Sequence, residues 1–515
     1  MSEKEKAQKA HADRVAIVAQ SVQRFYQEKV PFRIYHGSSN STRATSRQAV
    51  VDISSLKHVI HVDQSKKTVL VEPGVPMDAL VKHLLRFGLM PAVVPEFPGI
   101  TAGGAFAGTA AESSSFRYGY FDRTVHFVEM VLGNGDVVDA SATENADLFF
   151  GSAGSLGTLG ITTQLEIQLV ECGQYVQVSY VPVSSHAEAL DHFSKVGSDV
   201  DFIDGLMFSS RHGIVVQGRL VTSQSNKKNC PVVRFTRARD PWFFTHAHAK
   251  LRCQPASPPS HRCLTCHWTS QSRVYRQRST VMTELVPVAD FLFRYERGVF
   301  WMACYGWAPR FWNRITRFLL DPVFHSRFQY RVVHVVGGTP HIIQDLAIPA
   351  QRAGAFVSYL EDEMKIYPLW LCPIKHDARA LMHTFAASSS SSSSDQTSSL
   401  VNVGVWGSPN YGADYLSGDN FDAFVDQNRA LEAMVRHVGG LKWLYACNYY
   451  AESEFWSLYD VPRYEALRAK WMADRLPNLW DKVKKSRQDV KVVTLGTLVK
   501  AFVVAGLGMD RLQVR

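Results

Sequence analysis

The sequence predicts a mixed α+β protein with two domains, and three observations lead to this prediction. The chain has 515 residues, whereas single hydrophobic cores rarely grow beyond about 250–300 residues. Strand and helix signals alternate through the first third of the chain. From about Gly173 aromatic residues become dense while strands and helices continue. We therefore expect a first domain at residues 1–172, a second at 173–490 and a C-terminal tail at 491–515.

The first domain is predicted to begin with short strands and one clear helix. Gln48–Ser54 is a short strand-like run, and His58–Gly74 reads as two strands around the polar turn Asp63–Lys67. The next segment has one apolar stripe at helical spacing, with Pro76 suited to its first turn and Gly88 at its end. These signals predict an amphipathic helix that packs on the preceding strands.

The second half of this domain shows strand periodicity. Phe127–Ala140 reads as a hairpin whose tight turn is Asn134-Gly135. Gly160–Glu171 alternates apolar and polar residues, which is typical of a strand with one buried face. The first domain is thus a strand-rich α+β unit.

Composition and charge exclude several classes of protein. With 46% hydrophobic and 20% charged residues, the chain can bury large cores and is not disordered overall. The formal net charge of +9 suits anionic partners such as phosphate-bearing cofactors. The basic residues are scattered and form no recognised nucleic-acid motif, so we expect no nucleic-acid partner. The charged N-terminus lacks a secretory signal and the eight cysteines show no framework spacing, which favours an intracellular protein.

Two stretches have compositions that are unusual for the interior of a folded domain. Residues 252–282 are polar, basic and rich in Pro and Ser, and residues 387–400 contain a run of Ser. The first stretch contains a C-x-x-C-H pattern at Cys263, Cys266 and His267, which is typical of zinc binding or haem attachment. A structural zinc site needs two ligand pairs in a folded knuckle, and one pair is missing here. We expect an insertion-like loop, a Ser-rich loop and no metal site.

The most unusual stretch is "TAGGAFAGTAAESSSFRYG", from Thr101 to Gly119. It lacks the glycine spacing of a Rossmann fingerprint and the Gly-Lys-Ser/Thr of a Walker loop. Its backbone N–H groups and hydroxyls can wrap a pyrophosphate or lie against a flat ring, and the alternative is a small-residue packing interface. Two other segments of small residues favour the interpretation that this stretch binds a cofactor: "YHGSSNSTR" (Tyr35–Arg43) and "GSAGSLGTLGI" (Gly151–Ile161).

In this order, these segments resemble the PCMH-type FAD-binding domain of the vanillyl-alcohol-oxidase superfamily. Within it the chain resembles the 24-dehydrocholesterol reductase (DIMINUTO) group, whose Gly-Gly…Glu-Ser-Ser-Ser…Tyr-Gly signature the stretch after Thr101 matches. "DPWFFTHA", "IYPLWLCP" and "LYACNYYAESEFWSLYD" follow in the family's order, and the resemblance covers roughly Pro31 to Lys484. It implies an FAD domain of two α/β subdomains followed by an α+β substrate (cap) domain.

The resemblance also implies the residues that hold FAD. Tyr35–Thr42 would take the pyrophosphate, and Thr101–Ser115 would pass the flavin and the ribityl chain. Many relatives attach FAD through a His after a Gly pair, but that place reads "GSSN" here, so we predict non-covalent FAD. The predicted cofactor contacts are Gly37, Ser38, Ser39, Asn40, Ser41, Thr101, Ala102, Gly103, Gly104, Gly108, Thr109, Glu112, Ser113, Ser114, Tyr118, Gly157, Gly160 and Ile161.

The implied reaction is reduction of a carbon–carbon double bond in a sterol-like or isoprenoid side chain. NADPH would reduce FAD, a hydride would pass to the substrate, and an acid would protonate the neighbouring carbon. The dense aromatic residues of the second domain suit either a long apolar pocket or an ordinary large core. One alternative is a flavin oxidase or dehydrogenase of an alcohol or sugar on the same fold. Another is a non-catalytic lipid-binding protein.

The sequence offers three candidates for the proton donor. The family carries a His-Arg-His segment before a Phe-Trp pair, whereas this chain reads "FRYERGVFW". This departure leaves Tyr295 and Glu296 as candidate donors, with an ordinary amphipathic strand as the alternative. Glu112 in the glycine stretch is a third candidate, which alternatively only holds the loop.

Membrane association is expected from the resemblance, which implies a protein of the endoplasmic reticulum membrane. Family members commonly carry an anchor before the flavin domain, while this chain starts directly at that domain. Phe300–Leu320 mixes aromatic, apolar and Arg residues, as an interfacial segment does. The alternative is a buried helix of the substrate domain.

Overall fold

The structure is a computed structural model that describes residues 1–37, 49–222, 230–252, 282–302, 304, 313–336, 341–376, 399–407, 421–484, 500 and 503. Ser38, Ser39, Asn40 and Ser41 lie outside these residues. So do Cys263, Cys266 and His267 and nearly all of the expected insertion, Ser-rich loop and C-terminal tail.

The chain opens with a long helix that the sequence analysis did not predict. Helix α1 (Glu3–Gln27) begins with a capping box, in which the Ser2 hydroxyl accepts from the Glu5 backbone and the Glu5 carboxylate accepts from the Ser2 backbone. Its buried positions recur every three or four residues and face the first sheet; they are His11, Val15, Val18, Val22 and Phe25. The many charged residues of the exposed face hide this stripe in a simple reading of the sequence.

The first unit is built on an antiparallel sheet with the strand order β3-β4-β8-β6-β7 and β5 added beside β8. A parallel pair, β1 and β2, lies next to it. Its strands are β1 (Arg33–Tyr35), β2 (Val50–Asp52), β3 (Val59–Asp63), β4 (Thr68–Val71), β5 (Leu89–Pro91), β6 (Val125–Val131), β7 (Val137–Ser141) and β8 (Ile161–Glu171). The helices that follow α1 are α2 (Met77–Leu84), α3 (Ala102–Ala107), α4 (Ser115–Tyr118) and α5 (Ala146–Ser152), with 3₁₀ turns at Leu85–Phe87 and Phe121–Thr124.

Local sequence signals explain most of this unit. Helix α2 carries on through a 3₁₀ turn to Gly88, which has a φ of 67°, the left-handed conformation that glycine adopts without strain. Gly135, with a φ of 94°, makes the predicted turn between β6 and β7. Along β8 the residues at positions 161, 163, 165, 167 and 169 are buried, as the alternation predicts.

The second unit is a larger antiparallel sheet with the order β12-β9-β11-β10-β14-β15-β13-β16. Its strands are β9 (Tyr175–Val183), β10 (Phe202–Ser209), β11 (His212–Val221), β12 (Met282–Pro287), β13 (Ile342–Pro349), β14 (Leu369–Ile374), β15 (Leu400–Gly407) and β16 (Leu441–Lys442). The first helices around it are α6 (His186–Ser194), α7 (Phe243–Arg252), α8 (Val288–Leu292), α9 (Arg314–Leu319), α10 (Ser326–Val336) and α11 (Ala350–Tyr359). A 3₁₀ turn at Asp321–Phe324 precedes α10, and a π turn at Leu360–Met364 follows α11. The predicted α+β class is confirmed.

The last described helices return to the first unit. They are α12 (Phe421–His437), α13 (Glu452–Trp456), α14 (Val461–Lys470) and α15 (Leu479–Val483), with a 3₁₀ turn at Ala473–Arg475. Tyr464 on α14 donates to the Thr158 hydroxyl at 2.8 Å, and Arg468 donates to the Thr158 carbonyl at 2.7 Å. These contacts hold the glycine segment before β8 against the C-terminal part of the chain.

Within the described ranges, no helix combines the length and the apolar character that crossing a bilayer requires.

Candidate functional site

One cavity of about 370 Å³ lies between the two sheets, within the size range of small-molecule sites. Glycine-containing backbone from the first unit lines one side of it, and aromatic and acidic side chains from the second unit line the other. The residues on the first side include Tyr35, His36, Pro73, Gly74, Thr101, Gly103, Gly104, Gly108, Gly157, Gly160 and Ile161. Those on the second side include Phe300, Tyr330, Asp345, Trp370, Asn402, Trp406, Trp443 and Tyr445.

The glycine side is open because side chains are absent where the backbone faces the cavity. Thr101 caps α3, and its hydroxyl accepts from the Gly104 backbone at 3.2 Å. A Cβ added at Gly104 would meet only that hydroxyl within 4 Å, at 3.1 Å. Gly103 serves packing instead, since a Cβ there would lie 2.5 Å from Pro73 Cβ. Part of the stretch read as a loop is therefore a short helix that presents Gly104 to the cavity.

A second backbone feature places Phe300 in the aromatic wall. Gly298, Val299 and Phe300 have φ values of 85°, 48° and 60°, so three consecutive residues adopt the left-handed conformation. This conformation is costly for non-glycine residues and is usual only where the surroundings enforce it. The ring of Phe300 stacks on Tyr295 at 4.4 Å and lies 5.2 Å from Trp406 between ring centroids.

Asp345 on β13 and Tyr445 after β16 form a hydrogen-bonded pair at the cavity wall. The Tyr445 hydroxyl donates to Asp345 Oδ2, and the Asn402 amide donates to Asp345 Oδ1 at 3.3 Å. Burial raises the pKa of the Asp345 carboxyl to about 6, although the hydrogen bonds from Tyr445 and Asn402 oppose that rise. The pair therefore changes protonation state near the working pH of most enzymes.

Glu96 is a second acid on this cavity. Its Oε1 is buried and has no hydrogen-bond partner among the residues that the structure describes. Burial raises the pKa of Glu96 well above its usual range, and the nearby Glu112 carboxyl adds to the rise. Burial thus favours the neutral form of Glu96, and its Oε1 has hydrogen-bonding capacity to offer a bound molecule.

Trp443 connects the two sides of the cavity. Its indole Nε1 donates to the Thr109 carbonyl at 2.8 Å, and its backbone N–H donates to the Asp345 carbonyl at 3.0 Å. Thr109 has a φ of 52°, in the left-handed region, where the glycine stretch turns away from α3. Trp443 thus positions both the glycine stretch and strand β13, which holds Asp345.

The structure brings only part of the predicted cofactor set to the cavity. Thr101, Gly103, Gly104, Gly108, Gly157, Gly160 and Ile161 line it. Gly37, Ala102, Thr109, Glu112, Ser113, Ser114 and Tyr118 are described but are not among its lining residues. Ala102 is fully buried in the core, and Thr109 contributes its carbonyl to Trp443. The FAD contacts remain predictions at the level of single residues.

Tyr295 lies behind the cavity wall rather than in it. Its hydroxyl donates to Asp204 at 2.8 Å, and Arg294 and Trp370 donate to the same carboxylate oxygen at 2.7 Å and 3.0 Å. Burial raises the pKa of Tyr295 well above its usual range, and the charge of Asp204 adds to the rise. The arrangement orients Trp370, which does line the cavity.

Glu296 and Glu112 are also held by partners away from the cavity. Glu296 accepts from the Ser326 backbone at 3.0 Å and contacts His325 Nδ1 at 3.0 Å. Glu112 accepts from the hydroxyls of Ser113 and Ser114. A catalytic role for Tyr295, Glu296 or Glu112 stays a prediction, and each of the three has a structural contact that accounts for it.

Sequence reasoning missed the acids on the cavity and one cation. Asp345, Tyr445 and Glu96 lie in segments whose local pattern reads as buried strand or apolar loop. Lys482 on α15 lies beside Gly157, whose added Cβ would be 3.6 Å from the Lys482 Nζ. The only available sequence signal was an acid or a lysine inside an otherwise apolar run, which is too common to single these residues out.

An extended molecule with an anionic middle and a flat ring fits this cavity. The glycine side offers backbone and open space, Lys482 adds a positive charge, and the Glu96 carboxyl offers an unmet hydrogen bond. FAD combines a pyrophosphate with an isoalloxazine ring, so the residues present fit FAD, and when bound it would supply hydride transfer.

Comparisons with known proteins agree with this assignment. Residues 9–141 match the family described as FAD binding domain. The chain is 25% identical over 480 residues to the Delta(24)-sterol reductase of Arabidopsis thaliana, which covers 89% of this chain and 80% of that protein. It is 26% identical over 450 residues to the Delta(24)-sterol reductase of Homo sapiens, which covers 84% and 77%. Cytokinin dehydrogenase 9 of Oryza sativa subsp. japonica is 29% identical over 161 residues, covering 29% of this chain and 31% of that protein.

The fold, the cavity and these matches define an FAD-dependent oxidoreductase. Within that class, the chain is similar over most of its length to the Delta(24)-sterol reductases of plants and animals.

Proposed function

We propose that the protein is an FAD-dependent reductase of a carbon–carbon double bond in the side chain of a sterol-like molecule, with NADPH as the reductant. The observation that carries this proposal is a single cavity with two chemically different sides. One side is small-residue backbone suited to a cofactor, and the other is aromatic and contains Asp345, an acid with a raised pKa. The similarity to Delta(24)-sterol reductases over most of the chain supports the substrate class.

The glycine side would hold FAD without a covalent bond. Gly104 leaves room for the cofactor, and Gly157 and Lys482 supply a backbone amide and a positive charge beside it. His36 precedes Gly37 rather than following a glycine pair, which is the basis for proposing non-covalent FAD. Release of all the flavin by acid precipitation is the expected result, and yellow colour retained in the pellet would contradict it.

The aromatic side would hold the sterol. Phe300, Trp370 and Trp406 form an apolar surface, and their rings lie 5.2 to 5.4 Å from one another at the contacts with Phe300. A flat, rigid hydrocarbon gains affinity from burial against such rings, because the removal of apolar surface from water is favourable. Asp345 and Tyr445 place a hydrogen-bonded carboxyl and hydroxyl group within this otherwise apolar wall.

The test is an anaerobic titration of the purified flavoprotein with NADPH, followed by a sterol with a double bond at carbon 24. We expect NADPH to bleach the flavin absorbance and the sterol to restore it with formation of the saturated side chain. Failure of the sterol to reoxidise the flavin would overturn the proposal. Rapid reoxidation by oxygen with peroxide release, after reduction by an alcohol or sugar, would instead support the alternative oxidase or dehydrogenase.

We further propose that the protein contacts membranes peripherally, at the endoplasmic reticulum as its resemblance implies. Helix α9 exposes Ile315, Phe318 and Leu319, with 71%, 54% and 67% of their surfaces accessible, and apolar side chains next to Arg317 suit an interfacial segment. Sedimentation with vesicles of phosphatidylcholine and phosphatidylserine should retain the protein. Phe318→Glu should weaken retention, whereas Phe87→Glu, at an exposed position of the first unit, should not.

A further inference from the structure

Asp345 on β13 and Tyr445 just after β16 are two polar groups on the aromatic side of the cavity. Both line the cavity, and they are hydrogen-bonded to each other. Trp443, two residues before Tyr445, is fixed to the glycine stretch at Thr109 and to the Asp345 backbone. The pair is therefore held in a defined position relative to the proposed flavin site and faces the proposed sterol site.

We propose that Tyr445 is the proton donor of the reductase reaction and that Asp345 supplies the proton that reloads it. This inference rests on the proposed function. It differs from the donors expected from the sequence, because Tyr295 and Glu296 are both engaged with partners outside the cavity.

Reduction of the double bond adds one hydride and one proton to its two carbons. One carbon of the double bond would take the phenolic proton of Tyr445 through the π electron pair, and the other carbon would take the hydride that a bound, reduced flavin supplies. The O–H electron pair stays on the Tyr445 oxygen. The protonated Asp345 carboxyl then gives its proton to this oxygen, and a solvent proton restores Asp345. The net change is one hydride from NADPH and one solvent proton added across the bond.

The protonation state of Asp345 determines which way the phenolic proton points. With Asp345 ionised, Tyr445 donates to the carboxylate, so its proton faces away from the substrate. With Asp345 protonated, the carboxyl donates to the Tyr445 oxygen and the phenolic proton can point into the cavity. Because burial raises the pKa of Asp345 to about 6, the protonated form predominates below pH 6 and its population falls as the pH rises through 6.

The groups that face this pair from neighbouring elements are Tyr330 on α10, Asn402 on β15 and Glu96 on the loop after β5. Glu96 is the competing donor because it lines the same cavity and burial favours its neutral form. Its free Oε1 has no partner among the described residues that could pass it a second proton. Tyr445 has such a partner in Asp345, which favours Tyr445 as the group that turns over.

The decisive measurement separates the two half-reactions in the purified holoenzyme. For Tyr445→Phe we expect unchanged FAD content, unchanged reduction by NADPH and unchanged perturbation of the oxidised flavin spectrum by the Δ24-unsaturated sterol. Reoxidation by that sterol should fall by about 10²- to 10⁴-fold, the usual contribution of a positioned acid. Tyr450→Phe is the matched control, since Tyr450 is a nearby buried tyrosine whose hydroxyl contacts the Glu432 carbonyl at 3.5 Å; it should reoxidise at the wild-type rate.

The role of Asp345 is tested by pH. The wild-type reoxidation rate should fall as the pH rises through about 6, and Asp345→Asn should remove that dependence. Independently of turnover, a carboxyl resonance of ¹³C-labelled aspartate should titrate near pH 6 in the wild type and be missing in Asp345→Asn.

If the sterol reoxidises the flavin of Tyr445→Phe within tenfold of the wild-type rate, this inference is overturned and the proposed function stands. The same holds if Tyr445→Phe keeps its reoxidation rate while Glu96→Gln loses it. A wild-type enzyme that NADPH reduces but the sterol does not reoxidise would overturn both.

Discussion

The indole Nε1 of Trp443 donates a hydrogen bond of 2.8 Å to the carbonyl oxygen of Thr109. This bond joins the glycine stretch of the first unit to the edge of the second sheet across 334 residues of sequence. The backbone N–H of the same tryptophan binds the Asp345 carbonyl, so one residue sets the distance between the proposed flavin site and the acid pair.

Gly104 should be required for flavin binding but not for folding. In Gly104→Ala the added methyl group enters the cavity, where only the Thr101 hydroxyl lies within 4 Å. We expect the dissociation constant of FAD to rise roughly tenfold, about 1.4 kcal/mol, with no loss of thermal stability. Gly354→Ala in helix α11 is the control, because a Cβ there meets nothing within 4 Å. It should add up to about 1 kcal/mol of stability and leave FAD binding unchanged, and equal FAD affinity in both variants would contradict the prediction.

Gly298 should be necessary for the turn that presents Phe300. Its φ is 85°, and an added Cβ would lie 2.6 Å from Trp242 Cε3. Gly298→Ala should lower the free energy of unfolding by more than the roughly 1–2 kcal/mol of a left-handed alanine alone. Gly439→Ala isolates that backbone cost, since Gly439 has a φ of 72° and open space around it. Denaturant unfolding of both variants measures the difference, and equal losses would show that the contact with Trp242 is unimportant.

Tyr295→Phe should be a mild variant. The substitution removes one of three donors to Asp204 and leaves Arg294 and Trp370 in place. We expect a loss of about 1 kcal/mol of stability, the usual worth of one hydrogen bond, and sterol reoxidation within a fewfold range of the wild type. Stopped-flow reoxidation checks this, and a hundredfold loss of rate with normal flavin reduction would identify Tyr295 as the donor instead.

Helix α1 should give the protein a pH-dependent stability. His11 is buried between Glu72 and Glu129, with ring nitrogen to carboxylate distances of 2.8 Å and 3.0 Å. Burial alone would lower the pKa of His11, but the hydrogen bonds to Glu129 and Glu72 outweigh it and raise the pKa from 6.5 to about 9. A histidine with a raised pKa in the folded state stabilises most below its unfolded pKa. This stability is therefore present below pH 6.5 and is lost as the pH rises through 9.

The wild-type free energy of unfolding should accordingly fall between pH 6.5 and 9.5, by on the order of 3 kcal/mol. His11→Gln should be less stable at pH 6.5 and should lack this slope. His126→Gln, at an exposed position of β6, should keep it. Urea unfolding at several pH values measures the slope, and parallel profiles for the wild type and His11→Gln would show that His11 is not protonated in the folded state.

The sequence predicted the elements whose signals are local. The amphipathic stripe before Gly88, the Asn134-Gly135 turn and the alternation of β8 each depend on a few neighbouring residues, and each is present in the structure. Helix α1 escaped prediction because its buried positions are spread through a mostly charged segment. The role of Gly103 was also hidden, since its close contact is with Pro73 in another segment.

What the sequence determined by itself is the class of cofactor and the similarity to FAD-dependent reductases. Three small-residue segments in a characteristic order carry that information, because a backbone that must approach a cofactor excludes side chains wherever it folds. Only the tertiary structure decided which acids face the cavity. Asp345, Tyr445 and Glu96 come from a strand, a segment after a strand and a loop that are far apart in sequence. They meet because the second sheet packs on the first and Trp443 joins them, and no local pattern encodes such a contact.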